Sequence, residues 1–326
     1  MLKEDTLRLL LQHRRPVSGE AISQALGVSR AAVWKAVEAL RQEGYVIASR
    51  TALGYQLVSV PDLLSPTELS RPGRAVGGRV ICLDRVDSTN NECRRQAALG
   101  AEDGLVVIAG EQSGGKGRRG RSFQSLPGKG LYLSALLRPD VPTHQVSQLT
   151  AWVAVAVCRA VEGLTGLPGQ IKWVNDVLLG GKKLCGILCE MGLDDDGRLD
   201  HVVVGIGVNV SQTPEDFGPQ LSPIATSLAQ HMPSPPRRGQ VASALMEELS
   251  VLRQGFPHRR GSYLEEYRRR CVTLGRDVLL IRGEEQRSAF ALDVNEDFSL
   301  RVRLPDGSEE DVFSGEASVR GLEGYA

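Results

Sequence analysis

This sequence of 326 residues lacks long apolar runs, paired cysteines, histidine clusters and a net charge. Its longest apolar run, AWVAVAVC, is far too short to cross a bilayer, so no membrane partner is expected. Six cysteines without a C-x-x-C pair, and five scattered histidines, favour reduced thiols in a cytoplasmic protein over disulfides or a zinc site. The formal net charge of zero argues against wholesale coating of nucleic acid but permits one basic module.

Glycine is abundant, and the stretch GEQSGGKG at Gly110–Gly117 has the residue order of a phosphate-binding P-loop. A short β-branched strand, GLVVIA, precedes it. However, Gly117 stands where a Ser or Thr would hold magnesium, and Pro127 with its flanking glycines prevents the helix that a P-loop needs. What remains is a mobile glycine loop suited to another anion. Its cations are Lys116, Arg118, Arg119 and Arg121.

Residues 1–60 have the pattern of three short helices followed by a hairpin. Residues 5–12 predict the first helix, and SGEAISQAL predicts a second with Ser18 as its N-cap. SRAAVWKAVEALRQEG predicts a third helix that Ser29 caps and Gly44 ends. YVIAS and YQLV alternate around the turn RTALG and predict a β-wing. On the third helix, we expect one apolar stripe to face the core of the domain: Ala32, Val33, Val37 and Leu40.

This order of elements is that of a winged helix-turn-helix, whose third helix enters the major groove of DNA. Eight Lys and Arg stand against five acidic residues in residues 1–60, a modest positive excess. The pairing of the third helix with a wing favours DNA binding over the alternative, a small protein-interaction module. The expected DNA contacts are Ser29, Arg30, Trp34, Lys35 and Arg50.

Prolines predict a linker over residues 63–76, after a first domain at 1–62. Residues 77–270 alternate strands and helices, which predicts one α+β domain on a mixed sheet. Within it, the proline-rich stretch 214–239 is expected to be a surface excursion without chemistry. Residues 271–326 predict a small all-β barrel. The segments expected as strands in the central domain are VICLDRV, GLVVIAG, GLYLSALL, IKWVNDVLL, KLCGILCEMGL and HVVVGIGVNV, and those expected as helices are STNNECRRQAAL, HQVSQLTAWVAVAVCRAVEGL and VASALMEELSVLRQGF.

Five polar signals follow one another in these two domains: STN at Ser88–Asn90, the loop Gln112–Arg121, KWVND at Lys172–Asp176, KKLCGILCE at Lys182–Glu190 and GEASVR at Gly315–Arg320. In this order they resemble the biotin protein ligases, in the bifunctional bacterial form that also represses biotin-synthesis genes. The resemblance covers essentially the whole chain. It implies a winged-helix domain, a central mixed-sheet ligase domain of the class II synthetase-like type, and an SH3-like C-terminal β-barrel.

The resemblance also implies a two-step reaction. Biotin and ATP, with Mg²⁺, give biotinyl-5′-adenylate, and a lysine of the biotin carboxyl carrier protein of acetyl-CoA carboxylase then takes the biotinyl group. The adenylate-bound form is expected to dimerise and to grip a palindromic operator. The residues suit this task because a carboxylate and a triphosphate repel each other, so the site needs mobile cations rather than a nucleophilic side chain.

The resemblance assigns individual residues to this chemistry. The biotin pocket is expected to contain Ser88, Thr89, Asn90, Gln112, Lys116, Gly117, Arg118, Lys183 and Gly186. Contacts to ATP and the adenylate are expected from Arg119, Arg121, Phe123, Lys172, Asn175, Asp176, Asn209 and Arg320. The expected catalytic residues are Lys183, Arg118 and Asp176. Lys183 would bridge the biotin carboxylate and the phosphate, and Asp176 would assist magnesium or the phosphate.

Two positions depart from the family's pattern. Lys116 replaces an arginine and loses its bidentate fork, so weaker retention of the adenylate is expected. Val174 replaces a proline and relaxes one φ angle. More ordinary interpretations also stand: Lys172 and Lys183 as solvated strand-end lysines, and the glycines of GIGVNV as close packing of a helix on a strand.

Two rival functions remain open. A lipoate–protein ligase shares the fold and the activated-acyl chemistry, but the GRRGR loop and the winged helix disfavour it. A regulator that senses biotin without transferring it is the other rival, which the presence of both Lys183 and Asp176 disfavours.

Overall fold

The structure is a computed structural model that describes residues 2–13, 15–50, 53–69, 76, 78–314 and 318–321, except for the side chains of residues 68, 318 and 320. The chain divides into two compact units, Met1–Arg71 and Pro72–Ala326, and each is described by itself. No helix among the described residues has the length and apolar character needed to span a membrane.

The first unit combines three helices with a hairpin, as predicted. Ser18 and Ser29 cap the second and third helices by accepting the N–H groups of Ala21 and Ala32. Gly44, with φ of 94°, lets the chain leave the third helix through the left-handed region. The elements are α1 (Leu2–Gln12), α2 (Gly19–Leu26), α3 (Arg30–Gln42), β1 (Val46–Arg50), β2 (Gly54–Ser59) and the short α4 (Pro66–Leu69).

A small apolar core joins these elements: Leu7, Leu10, Ile22, Val33, Val37, Leu40, Tyr45 and Ile47. On α3 the buried stripe includes Ala36, whereas Ala32, predicted to face the core, is only half-buried. Arg41 ties α3 to the wing because its Nε donates to the carbonyl of Ile47 at 3.1 Å. Thr51 and Ala52 of the predicted wing turn lie outside the described residues.

The second unit is built on a seven-stranded sheet, counted over the described residues, with the order β3-β4-β5-β9-β8-β7-β6. Only β3 and β4 pair in parallel, so the predicted mixed sheet is confirmed. The strands are β3 (Val80–Leu83), β4 (Val106–Ala109), β5 (Gly130–Leu137), β6 (Gln170–Lys172), β7 (Asp176–Leu179), β8 (Lys182–Leu193) and β9 (Leu199–Asn209). IKWVNDVLL, predicted as one strand, is two, because the chain reverses so that Lys172 pairs with Asp176.

The helices of the unit are α5 (Thr89–Ala98), α6 (Val146–Thr165), α7 (Pro214–Leu221), α8 (Arg238–Gly255) and α9 (Arg260–Arg270). Helices α5, α6, α8 and α9 pack on this sheet. Most of α6 is buried, and its Trp152 stacks on Tyr263 of α9 with ring centroids 3.9 Å apart. The prediction of a surface excursion at residues 214–239 is wrong for part of that segment, because residues 225–228 are buried. That segment contains α7, and residues 224–226 bond directly to the backbone of Lys183 on β8.

The C-terminal strands form a separate antiparallel sheet: β10 (Asp277–Arg282), β11 (Glu285–Val294), β12 (Leu300–Arg303), β13 (Glu309–Val312) and β14 (Ser318–Gly321). The indole of Trp173 attaches it to the central sheet by donating to the carbonyl of Phe298 at 3.0 Å. Arg320 pairs with Leu279 through its backbone, but its side chain lies outside the described part of the chain. Residues 315–317 of GEASVR lie outside it as well.

Candidate active site

The glycine loop after β4 is fixed at both ends and folds back on itself. The N–H of Gly114 donates to the carbonyl of Asp87 at 2.7 Å, and that of Phe123 donates to Gly115 at 2.9 Å. A Cβ on Gly115 would lie 2.4 Å from the Phe123 carbonyl oxygen, so this close return requires glycine. Only a three-residue 3₁₀ turn, Arg118–Gly120, follows, which excludes the helix of a P-loop here.

Arg118 and Arg119 of this loop reach the neighbouring sheets. One Nη of Arg118 donates to Oδ1 of Asn175 at 3.0 Å, and the other donates to the carbonyl of Ser314. Arg119 donates to the carbonyl of Ile281 at 3.2 Å. Burial is the main cause that lowers the pKa of Arg118. A guanidinium that has lost part of its water shell is a strong attractor for an anion.

Lys116, in contrast, is exposed and is tied to α5. Its Nζ donates to Oδ1 of Asn91 at 2.7 Å, and the amide of Asn91 donates to Asp87 at 2.6 Å. The pKa of Asp87 is lowered, first of all by its hydrogen bond from Arg95. The loop lysine is therefore held by a neutral oxygen whose orientation a carboxylate fixes. Arg121 is exposed too.

Lys183 and Asp176 form an ion pair across β7 and β8, with Nζ 2.7 Å from Oδ1. A register shift between Val177 and Leu178 places a bulge beside this lysine. Gly186 leaves the space through which the lysine passes, because a Cβ there would lie 3.1 Å from Lys183 Cε. The same Cβ would lie 3.2 Å from the ring of Phe123, so the lysine and the aromatic ring meet above Gly186.

The glycines of GIGVNV on β9 serve two different purposes. A Cβ on Gly207 would lie 2.5 Å from the ring of Phe123, so this glycine accommodates the aromatic ring at the site. A Cβ on Gly205 would lie 2.2 Å from Oδ1 of Asn90, so this glycine lets α5 approach the sheet closely. The packing interpretation therefore describes Gly205, and the ring of Phe123 occupies the space over Gly207.

Gln112 and Thr89 are joined at the base of the loop. The amide oxygen of Gln112, Oε1, accepts two hydrogen bonds from Thr89, one from its N–H at 2.8 Å and one from its hydroxyl at 3.0 Å. The Gln112 amide nitrogen donates to Ser125 Oγ at 2.9 Å. Ser88, which precedes α5, is also buried. These bonds fix the orientation of the Gln112 amide group, with its oxygen towards Thr89 and its nitrogen towards Ser125.

Sequence reasoning assigned no role to two polar residues that continue this network, Ser134 on β5 and Glu190 on β8. Ser134 is fully buried, and its hydroxyl donates to Oδ1 of Asn90 at 2.6 Å while its oxygen lies 2.7 Å from Thr89 Oγ1. The Asn90 amide nitrogen donates to a carboxylate oxygen of Glu190 at 2.7 Å. The one signal for Ser134 was a hydroxyl inside the apolar strand GLYLSALL, since a buried hydroxyl needs a partner.

The remaining predicted nucleotide contacts surround the ion pair to different degrees. Asn175 donates to the carbonyl of Ile187 at 3.1 Å and accepts from Arg118, so it lies within the site. Lys172 is buried on β6, opposite Asp176. Asn209 is buried, and its amide nitrogen donates to the carbonyl of Thr226 at 2.9 Å. The structure thus brings most of the predicted residues to one end of the sheet.

The comparisons with known proteins show which class of protein this chain resembles. Residues 82–209 match the Biotin/lipoate A/B protein ligase family, and residues 3–56 match a helix-turn-helix domain. The biotin protein ligase from Aquifex aeolicus in complex with biotin and ATP superposes with a TM-score of 0.63 at 29% identity, covering 74% of this chain and 98% of that chain. The family match and the structural neighbour therefore assign the central domain to the biotin and lipoate protein ligase class.

Two curated relatives narrow the class. The bifunctional ligase/repressor BirA of Bacillus subtilis is 41% identical over 232 residues, which is 70% of this chain and 71% of the relative. The bifunctional ligase/repressor BirA of Escherichia coli is 28% identical over 340 residues, covering 99% of this chain and 100% of the relative. The chain belongs to the biotin protein ligase family, in its bifunctional ligase/repressor form, and the resemblance found from the sequence is confirmed.

Proposed function

We propose that this protein joins biotin to AMP and then passes the biotinyl group to a lysine of the biotin carboxyl carrier protein of acetyl-CoA carboxylase. The observation that carries this proposal is the Lys183–Asp176 ion pair, which lies beneath a loop rich in arginine. Such a site presents cations to two anions. This is the requirement for activating a carboxylate with ATP.

In the first step, a carboxylate oxygen of biotin bonds to the α-phosphorus of ATP, and the bond from that phosphorus to the pyrophosphate oxygen breaks. Pyrophosphate leaves with the electron pair, and no proton moves. In the second step, the carrier lysine's neutral amine attacks the acyl carbon, the bond from that carbon to the phosphate oxygen breaks, AMP leaves with the electron pair, and the proton of the amine passes to solvent. Lys183 neutralises the carboxylate and phosphate during the first step, and Arg118 closes over the product.

The observed contacts support the residue roles that we propose. Ser88, Thr89, Asn90 and Gln112 bind biotin, supported by the hydrogen bonds that order Thr89, Asn90 and Gln112. Lys116, Gly117, Arg118 and Gly186 complete that pocket. The nucleotide is contacted by Arg119, Arg121, Phe123, Lys172, Asn175, Asp176, Asn209 and Arg320. Phe123 lies beside Lys183 above Gly186, which suits a ring that stacks on adenine.

Magnesium enters with ATP in this proposal. Among the described residues, no group of three or more His, Cys, Asp or Glu side chains is placed to hold a metal ion. Asp176 is a single carboxylate at the site, and Mg²⁺ is commonly held by one or two carboxylates together with substrate phosphates. The residues therefore fit MgATP as a substrate rather than a resident metal centre.

The test of the proposal is ATP/pyrophosphate exchange by the purified full chain with magnesium, run with biotin and, in parallel, with lipoate. Exchange with biotin alone is expected. Exchange with lipoate would transfer the assignment to the rival lipoate ligase. Binding of biotin with no exchange would support the biotin-sensing regulator.

Replacing Ser134 with alanine is expected to raise the KM for biotin about tenfold and to change the KM for ATP little. The hydroxyl removed is the partner of Asn90 Oδ1, and a buried acceptor left without its donor costs about 1–3 kcal/mol. The measurement is biotin-dependent exchange at varied biotin. Ser250→Ala, on α8, is the matched control, and an unchanged biotin KM in Ser134→Ala would contradict the assignment of this network to the biotin pocket.

We also propose that α3 contacts operator DNA through Ser29, Arg30, Trp34 and Lys35, with Arg50 of the wing against the backbone. Arg30 and Lys35 are exposed, and Trp34 is 53% exposed. An exposed tryptophan beside two cations, opposite the buried stripe of α3, supports a binding face. The adenylate-bound form is proposed to act as a dimer on a palindromic site.

Replacing Arg30 with alanine is expected to weaken DNA binding and to lower the slope of log K against log salt by about one, because one phosphate contact is lost. Exchange activity should stay at the wild-type level. The measurement is a salt titration with duplex DNA from upstream of biotin-synthesis genes, in biotin and ATP. Arg8→Ala on α1 is the matched control, and equal effects of the two variants would argue against α3 as the recognition helix.

The finer architecture is also a proposal. Domain limits of 1–62, 77–270 and 271–326, with a linker at 63–76, are supported by a compact first unit and by a second sheet that begins at Asp277. We propose that this second sheet is an SH3-like barrel and that the central domain is of the class II synthetase-like type. A cytoplasmic setting is supported by the six cysteines, which form no disulfide in the described chain.

A further inference from the structure

At Lys183, the proposed catalytic lysine, the backbone of β8 pairs with a segment that lies outside the sheet. The last pair between β8 and β9 joins Cys185 to Val208. Beyond it, the N–H of Lys183 donates to the carbonyl of Ile224 at 2.8 Å, and the N–H of Thr226 donates to the carbonyl of Lys183 at 2.9 Å. We name residues 222–231 the strap. Both backbone groups of Lys183 are thus held by the strap.

The strap is attached to the same strand end at two further points. Nζ of Lys182 donates to the carbonyl of Ser222 at 3.0 Å. At the other end of the strap, His231 lies against the β7–β8 turn, where a Cβ on Gly180 would be 2.8 Å from His231 Cε1. The strap therefore follows the chain from residue 180 to residue 183, and its position determines where the backbone of Lys183 lies.

Thr226 is the centre of this attachment and is only 1% exposed. Its N–H bonds to Lys183, and its carbonyl accepts from the Asn209 amide, which also lies 3.4 Å from the Lys183 carbonyl. Its hydroxyl lies 2.9 Å from Nε2 of His231. Each polar group of Thr226 thus has a partner, and one of them is the backbone of the lysine.

We propose that Thr226 is a positioning residue for Lys183, and that His231 supports it by holding its hydroxyl. This inference rests on the proposed function, because it concerns the adenylation that Lys183 assists. Nζ of Lys183 must lie where carboxylate and phosphate charge meet, and a misplacement of a catalytic group by about 1 Å can cost a hundredfold in rate. A loosened strap therefore lowers kcat and leaves substrate binding largely intact.

The test uses Thr226→Val, which keeps the shape and loses the hydroxyl, and Thr226→Ser, which keeps the hydroxyl. In biotin-dependent ATP/pyrophosphate exchange, Thr226→Val is expected to lower kcat about tenfold, with the KM values for biotin and ATP within about twofold of wild type. Thr226→Ser is expected to restore kcat to within about twofold. His231→Ala should lower kcat in the same direction, and as a change at an exposed residue it should fold normally.

Three results would overturn the inference. A raised KM for ATP with unchanged kcat in Thr226→Val would make Thr226 a nucleotide contact. Equal loss in Thr226→Ser would show that the hydroxyl is not what matters. If Thr226→Val does not fold, by circular dichroism, His231→Ala decides, and unchanged kcat in that variant rejects the inference. A wild-type protein without exchange would instead refute the proposed function, and the inference with it.

Discussion

Replacing Lys183 with alanine is expected to abolish biotin-dependent ATP/pyrophosphate exchange, with a loss of about 1,000-fold or more. Its Nζ is 2.7 Å from the Asp176 carboxylate, and we propose it as the central cation of the site. Removal of one preorganised group that stabilises transition-state charge commonly costs about 100- to 1,000-fold. Here the loss should be at the upper end, because the variant leaves the carboxylate of Asp176 facing two anionic substrates.

The matched control is Lys3→Ala, the same change in the first unit, which should leave exchange at the wild-type level. Exchange should be measured together with biotin-dependent DNA binding. Retention of more than about a tenth of the exchange activity in Lys183→Ala would contradict the assigned role. The sensing regulator would give a different result: the wild-type protein would show no exchange, and neither variant would change its biotin-dependent DNA binding.

Replacing Gly205 with alanine is expected to lower the free energy of unfolding by about 2 kcal/mol and to weaken biotin binding about tenfold or more. The added methyl group would lie 2.2 Å from Oδ1 of Asn90. Asn90 would have to move, and it would lose its bonds to Ser134 and Glu190. Stability falls because Asn90 and Ser134 are buried and lose a hydrogen bond. Biotin binding weakens because Asn90 is a residue of the proposed biotin pocket.

Urea unfolding and calorimetric titration with biotin measure the two effects. Gly163→Ala is the matched control, because Gly163 is exposed on α6 and its added Cβ would meet nothing within 4 Å. It should leave biotin binding unchanged and increase stability by up to about 1 kcal/mol, as expected for glycine to alanine within a helix. Wild-type stability and biotin affinity in Gly205→Ala would contradict the role given to this glycine.

Local physical chemistry was sufficient to predict the first unit from the sequence. The caps Ser18 and Ser29 act within three residues along the chain, and helix periodicity reports burial directly. The β-branched runs of the central domain likewise predicted its strands, since residues buried on both faces of a sheet are apolar throughout. The reversal inside IKWVNDVLL escaped because an apolar run does not show where a strand turns.

The polar network of the site was harder to predict, because its bonds connect residues far apart in sequence. Ser134 meets Asn90 across 44 residues, and Asn90 meets Glu190 across 100. No periodicity or propensity encodes such pairs. The strap was missed for a related reason: Pro223 and the prolines on either side of the strap suggested a loop at the surface, whereas Thr226 is buried by contacts that only the folded sheet creates.

Arg118 is already bonded to two uncharged oxygens, one from Asn175 beside the ion pair and one from Ser314 before β14. An anion that takes up these same N–H groups displaces at least one of the two oxygens. An anion adds an attraction between opposite charges that an uncharged oxygen lacks, so the exchange of partners favours the anion. The affinity that an experiment measures is then a difference between two sets of contacts. The carbonyl of Ser314 thus competes with the ligand for Arg118. Substitutions near Ser314 can therefore strengthen or weaken ligand binding although they do not contact the ligand.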